Sequence, residues 1–558
     1  MNMRLAPFLA LALAAPAAGA AEGPTPTRDE VKASETITPA LLRAHVKFVS
    51  SDLTEGRGPG TRGDAITRTY IASQLEALGL EPAAPEGGFF QKVPLVGVTT
   101  TVAEPLRFEG AAGKAELHPE EYVVVAGIPR QAIRIAGAEM VFVGYGIVAP
   151  EFGWDDYAGA DVRGKVVLVM NDDPSDDPAI FAGKTRLYYG RWSYKYEEAA
   201  RHGAAGVIII HTTPSAAYPW SVVQTSWAGT LFTLPDDPAP QVEARMWATE
   251  DASRRIAALG GQDLDALRRA ATKRGFRSVP LGVRCSLALA ADVTRIESAN
   301  VMARLPGRDP ALRGEVVLVT AHHDHLGTKP GAAKGDDAIY NGAVDDATGV
   351  AGLLAAARAA SALPRAPART LVFAAVAAEE QGLLGSEWLA RHPPVPAGKI
   401  AVTVNMDAMN VFGRTRDVTL IGLGKSSIDE LFVPLARWQG RVVKGDAFPE
   451  KGSFYRSDHF SLAKVGVPAA YVGAGTDFVG RPPGWGKQVN EAWVAKHYHQ
   501  PSDEYRDDWD LSGMVEDVRL VFFLAVKTAD ARHMPHWRKG DEFEAVRLRA
   551  ESSAAGTH

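Results

Sequence analysis

Three apolar runs in the second half of this 558-residue chain each stop at a residue type that binds metal ions. Residues 316–321 run into His322, residues 371–378 into Glu379 and Glu380, and residues 400–406 into Asp407. Ligands gather at the carboxyl ends of buried strands in open α/β sheets, so this placement predicts one shared crevice. After the first run comes His322-His323-Asp324-His325, in which His322 and Asp324 share a side of a period-2 pattern. Asp324 is thus placed to hold the His322 imidazole and fix its tautomer. His323 and His325 either line a substrate pocket or face solvent. Asp345 and Asp346 stand before a helical stretch, where aspartates ordinarily serve as caps; set among strand ends, Asp345 is the carboxylate that could bridge two cations. Adjacent glutamates point in different directions, so one of Glu379 and Glu380 can ligate while the other moves protons. Tyr498-His499, with Asp503 just beyond, completes the group. Two imidazoles and three carboxylates suit two zinc ions sharing one carboxylate better than calcium or magnesium. Two divalent cations against three carboxylates and one hydroxide leave such a site near neutral, as a low-dielectric pocket requires.

The elements that must position these residues are legible in part. Apolar residues recur on one face over 64–78, with Gly79 as a left-handed stop, and 38–53 also reads as helix. Between them Glu55 to Gly63 is too glycine-rich for regular structure; Arg57 and Arg62 belong either to a plain connector or to a contact with a neighbouring domain. From about 120 to 290 the chain turns β-rich, with buried strands at 166–170 and 207–210 around a helix through 197–202 that closes at Gly203. Tyr218, Trp220, Trp227 and Trp247 read as core. Beyond 295 apolar strands alternate with helices such as 349–360, which predicts an α/β fold: a mixed, mostly parallel sheet sandwiched by helices. Residues 537–558, charged and then small and polar, read as a flexible tail.

Length predicts two to four structural units. A net charge of −6 with scattered basic residues argues against nucleic acid as a partner. Residues 1–20, an arginine, an apolar stretch and Ala18-Gly19-Ala20, read as a cleaved signal peptide, and no later stretch is long enough to span a membrane. Periplasmic or secreted localisation is expected. Cys285 is the lone cysteine, which excludes an intramolecular disulfide or a thiolate metal site. Gly424-Lys425-Ser426 imitates the end of a phosphate loop, but Thr419 stands where its first glycine is required. No Gly-x-Ser-x-Gly elbow follows a strand.

In order, His-x-Asp, Asp-Asp-Ala-Thr-Gly, Glu-Glu, Asp and Tyr-His-x-Pro resemble the co-catalytic di-zinc exopeptidases of the bacterial aminopeptidase type, relatives of glutamate carboxypeptidase. Glu55-Gly-Arg-Gly and Tyr455-Arg-Ser-Asp-His459 resemble further landmarks of that family, so the similarity covers nearly all of the chain beyond the leader. The resemblance implies a zinc peptidase fold of the phosphorylase/hydrolase-like kind and a protease-associated insert. Its divisions fall at 1–20 for the signal peptide, 21–119 and 291–536 for the peptidase, 120–290 for the insert and 537–558 for the tail. It also implies that His322 and Asp407 hold one zinc, Glu380 and His499 the other, and Asp345 both. Glu379 then falls on the general base, Asp324 on the partner of His322, Tyr498 on an oxyanion-stabilising tyrosine, and Asp345-Asp346 on a cis peptide. The implied activity is hydrolysis of N-terminal peptide bonds by a water activated between the metals. A carboxypeptidase, an amino-acid deacylase, a cyclase-like acyl transferase or a catalytically silent binding ectodomain would share the scaffold.

Overall fold

Strands that are apolar on both faces must be covered on both faces, and this requirement organises the half of the molecule that carries the candidate ligands. A long strand, Val279–Leu305 (β1), is followed by Val316–His322 (β2), Thr370–Val376 (β3) and Ile400–Asn405 (β4), the last three buried at every position. β2 is the centre, parallel to β3 on one side and β4 on the other. Register places His322 opposite Val376 and Thr320 opposite Asn405, so the three strands end almost level. Asp417–Ile421 (β5), Val442–Lys444 (β6) and Ala469–Gly473 (β7) extend the sheet in the order β6-β5-β7-β4-β2-β3-β1. Alternate residues divide between two cores. Val317, Val319 and Ala321 pack with Pro39–Val49 (α1), Thr348–Ser361 (α2) and Ser512–Asp530 (α3) on one face, while Val316 and Leu318 join Leu389 and Leu462 on the other. The computed structural model describes residues 23–555 apart from 176–179, 217, 236–238, 330 and 334, so the leader expected at 1–20 lies outside the described residues.

β1 joins this sheet to the β-rich segment. Its last residues pair antiparallel with β3, its first part from Val279 to Ala290 pairs with Ala132–Phe142, and the stretch from Val283 to Val301 pairs with Phe90–Gly110. Beyond it, Ala132–Phe142, Val166–Met170, Gly206–His211 and Ala244–Thr249 form a second parallel run with its own apolar cores. A boundary at 290 therefore falls inside one continuous strand, with register shifts between Ser286 and Leu289. Trp247 is buried and Tyr218, Trp220 and Trp227 are half-buried against the same core.

The tail expected to be flexible is docked as far as it is described. Trp537 and Phe543 are buried against Phe454 and Phe460, the Trp537 indole donates to the Gly466 carbonyl at 3.0 Å, and Glu544–Ala555 is a helix. Lys425, from the phosphate-loop imitation, pairs with Asp541 at 2.8 Å and Glu542 at 2.9 Å. Charged composition suggested mobility because the partners of these aromatics lie 70 to 120 residues away. Among the described residues no helix is long and apolar enough to cross a membrane.

Candidate metal centre

His322, Glu379, Glu380 and Asp407 meet at the level ends of β2, β3 and β4. His322 Nε2 lies 3.2 Å from Asp345 Oδ1, 3.8 Å from Asp407 Oδ1 and 4.0 Å from Glu379 Oε2. His499 Nε2 lies 3.2 Å from Asp345 Oδ2 and 3.1 Å from Glu380 Oε2. Asp345 thus turns one carboxylate oxygen toward each imidazole. His322 Nε2 and His499 Nε2 are buried, and neither directs a hydrogen bond onto the carboxylate oxygens that face it. Each such orphan costs about 1–3 kcal/mol, which a cation at the site would offset. Two groups of donors, His322 with Asp345 and Asp407, and His325 with Asp345 and Glu380, each lie within 4.8 Å of one another. Imidazole and carboxylate donors so spaced fit zinc.

Two sequence expectations change here. His323 and His325 do not face solvent: both are fully buried, His323 Nε2 lies 3.1 Å from Asp64 and His325 Nδ1 lies 2.6 Å from Glu380 Oε1. The Asp324 carboxylate stands 3.8 Å from His322 Nδ1, beyond hydrogen-bond reach, and instead accepts the backbone N–H groups of Glu379 at 3.0 Å and Glu380 at 3.3 Å. What approaches the His322 ring nitrogen is the Asp324 backbone carbonyl, at 3.3 Å. Tyr498 stacks on His499 with ring centroids 3.9 Å apart, and its hydroxyl is bound by Arg456.

Around these residues runs a polar frame whose bonds the motifs do not display. Asp346, joined to Asp345 by a cis peptide bond, accepts N–H groups from His322 at 3.2 Å, Gly349 at 2.8 Å and Ala408 at 3.1 Å, tying three strand-end loops together. Asp503, four residues beyond His499, accepts from Val344 at 3.0 Å and Asp345 at 3.1 Å. A chain of hydroxyl and amide groups, Thr320 to Asn405 at 2.6 Å and Asn405 to Ser457 at 2.7 Å, ends where Ser457 donates to Asp407 Oδ2 at 2.6 Å. Ala378, Ala408 and His499 have φ of 53°, 51° and 56°, a left-handed backbone that costs energy outside glycine and collects at functional sites.

Arg57 settles the question left by the glycine-rich loop. Its guanidinium is buried and donates to the carbonyls of His323 at 2.9 Å, Val49 at 3.0 Å, Asn341 at 2.5 Å and Gly342 at 3.0 Å. One side chain so pins the loops carrying His322 and Asp345 against α1. Arg57→Met should cost about 3 kcal/mol, since buried acceptors stripped of a donor cost roughly 1–3 kcal/mol each and water will reach some of them. A melting curve and a zinc-retention assay check this; unchanged values for both would show that the loops hold themselves.

Electrostatics separate the two glutamates. Burial, with Glu380 and Asp458 nearby, pushes Glu379 well above the usual carboxylate range. Burial acts against ionisation of Glu380 as well, but His499 and His325 beside it hold it down to about 2. Neighbouring carboxyls driven apart in this way divide proton transfer from charge stabilisation. Burial also opposes the charge on Asp345, and the His322 and His499 imidazoles beside it outweigh it, so this group sits well below the ordinary value.

The cluster of imidazole and carboxylate donors lies on the carboxyl edge of a helix-covered parallel sheet, where open α/β folds place their ligand sites. Residues 300–523, the segment that carries the site, match peptidase family M28. A probable zinc metalloprotease of Pyricularia oryzae is 41% identical over 97 residues, 17% of this chain and 18% of its own. One from Pyrenophora teres f. teres is 37% identical over 112 residues, 20% and 23% of the two chains. The matched segment thus spans about a fifth of these curated relatives. In three dimensions, an aminopeptidase from Aneurinibacillus sp. strain AM-1 shares the fold with a TM-score of 0.50 and 20% identity, covering 90% of this chain and 96% of that one.

Proposed function

We propose that the protein is a zinc-dependent exopeptidase that removes residues from the amino terminus of peptides. The observation that carries this is the division of Asp345 between His322 and His499, which gives the site two halves around one carboxylate. His322 and Asp407 would hold one zinc, Glu380 and His499 the other, and Asp345 both, with His325 bracing Glu380. When bound, the metals supply Lewis acidity and ease deprotonation of a water. Among the described residues Glu379 forms no ion pair shorter than 4.0 Å, and it is the group that takes a proton and returns it to the leaving amine. Asp324 fixes the backbone beneath Glu379, and the Tyr498 hydroxyl, steadied by Arg456, faces developing negative charge. Aminopeptidase is the named activity of the solved protein with the shared fold, and it is the substrate class to test first. In the same proposal residues 120–290 are a protease-associated insert roofing the cleft: Tyr188 packs on Phe460 and Tyr455 of the peptidase unit, ring centroids 5.0 Å and 6.3 Å apart. Export follows if 1–20 is a cleaved leader.

The test measures bound zinc and cleavage of aminoacyl against N-blocked peptides, with and without chelator. Two zinc equivalents, cleavage of free-amine substrates and its loss with chelator are expected. N-blocked peptides cut equally well would favour the carboxypeptidase or deacylase alternative. A protein that binds no zinc tightly would be a silent ectodomain.

A further inference from the structure

The C-terminal segment grips the elements that carry the metal centre at two points, and it lies past residue 523, where the family match ends. The first grip is on β4, the strand that runs to Asp407. The buried guanidinium of Arg547 donates to the carbonyls of Ala397 at 3.1 Å and of Ile400, the first residue of that strand, at 2.9 Å. The second grip is on the turn Ser453–Tyr455. The Tyr455 hydroxyl donates to Glu542 Oε1 at 2.6 Å, and Lys425 holds the same oxygen at 2.9 Å. The Lys425 ammonium also sits over the rings of Phe454 and Phe543, 5.2 Å and 5.3 Å from their centroids. Phe454, Tyr455 and Phe543 are buried, so the turn and the segment close over this ammonium together.

Two residues after Tyr455 the chain reaches Ser457, whose hydroxyl donates to Asp407 Oδ2 at 2.6 Å and accepts from Asn405 at 2.7 Å. This one bond decides which oxygen of Asp407 is left for His322: the other, Oδ1, is the one that lies 3.8 Å from Nε2. Carboxylate ligands take their orientation from such partners, and hydrogen bonds weaken steeply once misaligned, so Ser457 aims Asp407 only as well as its own backbone is held. That backbone is anchored at Tyr455. A phenol donating to a carboxylate makes one of the stronger hydrogen bonds, and Glu542 is itself fixed by Lys425. Resting on the reading of His322 and Asp407 as one zinc half-site, we propose that Glu542 and Tyr455 are positioning residues for the metal centre. They hold the turn from which Ser457 aims Asp407, and the C-terminal segment is thereby a working part of the site.

The experiment titrates zinc into the metal-free full chain against a competing chelator and measures kcat and KM on an aminoacyl substrate. Tyr455→Phe keeps the ring and removes one hydroxyl. It is expected to weaken one of the two zinc equivalents by about 10-fold and to lower kcat by a similar factor with KM nearly unchanged, the scale on which partners of metal ligands act. Glu542→Leu should match it, and Glu542→Gln, whose amide oxygen still accepts from the phenol, should recover most of both. Ser457→Ala supplies the decisive comparison, with an expected loss of about 10- to 100-fold in zinc affinity. If Tyr455 acts through Ser457, adding Tyr455→Phe to Ser457→Ala weakens zinc no further, whereas a general loosening of the fold would multiply the two effects. Glu542→Leu carries the same comparison should Tyr455→Phe not be recovered folded. Multiplied effects, or wild-type zinc affinity in Tyr455→Phe, overturn the positioning role. A wild-type chain that binds no zinc tightly would overturn the zinc half-site beneath it instead.

Discussion

Glu379→Gln is expected to lower kcat by about 10²- to 10⁴-fold, the usual contribution of a positioned general acid–base, while zinc content is retained. Glutamine keeps the shape of the side chain, and the bond that aims it is made by the backbone N–H to Asp324 at 3.0 Å, which the substitution leaves in place. What is lost is the ability to take a proton and give it back. Stability should not fall. A carboxyl whose folded pKa lies above its unfolded value destabilises the fold as pH rises past the ordinary carboxylate range, and Glu379 is pushed upward by burial. An uncharged amide removes that penalty, so at neutral pH the variant should melt at or above the wild-type temperature. Retained turnover would dismiss Glu379 from proton transfer; loss of zinc together with turnover would make it a ligand.

That such a prediction can be aimed at one residue reflects how much of the site is local in sequence. A strand buried on both faces reads as an apolar run, and in a parallel sheet the residue ending the run is the one presented at the ligand edge. His322, Glu379, Glu380 and Asp407 were visible on that logic alone, and the fold class followed from the alternation of such runs with helices. The bonds of the frame around them were not visible, because its members act at a distance. Arg57 donates to carbonyls up to 285 residues away, and Asp503 holds Val344 and Asp345 from 159 and 158 residues away. Backbone acceptors leave no trace in residue type, so a buried arginine on a glycine-rich loop looks like a connector. His325 was obscured for another reason: three histidines within four residues offer no periodic clue to which are buried, and all three are. β1 was divided by expectation because its 27 residues exceed any ordinary strand, and only the pairing with both sheets shows that it is continuous.

Asp345→Asn is expected to abolish activity and to reduce bound zinc from two equivalents to one or none, a larger effect than the loss of either metal partner alone. Asp407 faces His322, and Glu380 faces His499, whereas Asp345 serves both imidazoles with separate oxygens. Asparagine supplies one acceptor and one donor, so at least one half is left facing an N–H group, and a negative charge is gone from between two cations. Asp407→Asn should by contrast retain the half formed by Glu380 and His499. Proton linkage gives a second readout. Without metal, burial works against protonated His322 and His499, but the carboxylates around them raise both well above the ordinary imidazole value, while Asp345 is held low. The histidine contribution is fully present below about pH 6.5 and is lost as pH rises through the folded values; the Asp345 contribution is present above about pH 4 and lost as pH falls. Metal-free wild type should therefore lose stability from neutral toward alkaline pH, where deprotonated ligands bind zinc most tightly and zinc should raise the melting temperature most. Asp345→Asn weakens both the proton-linked pairs and the metal site, so its melting temperature should respond little to zinc at pH 6 or at pH 8. A variant that kept two zinc equivalents and the alkaline gain in melting temperature would place the bridge on some other residue.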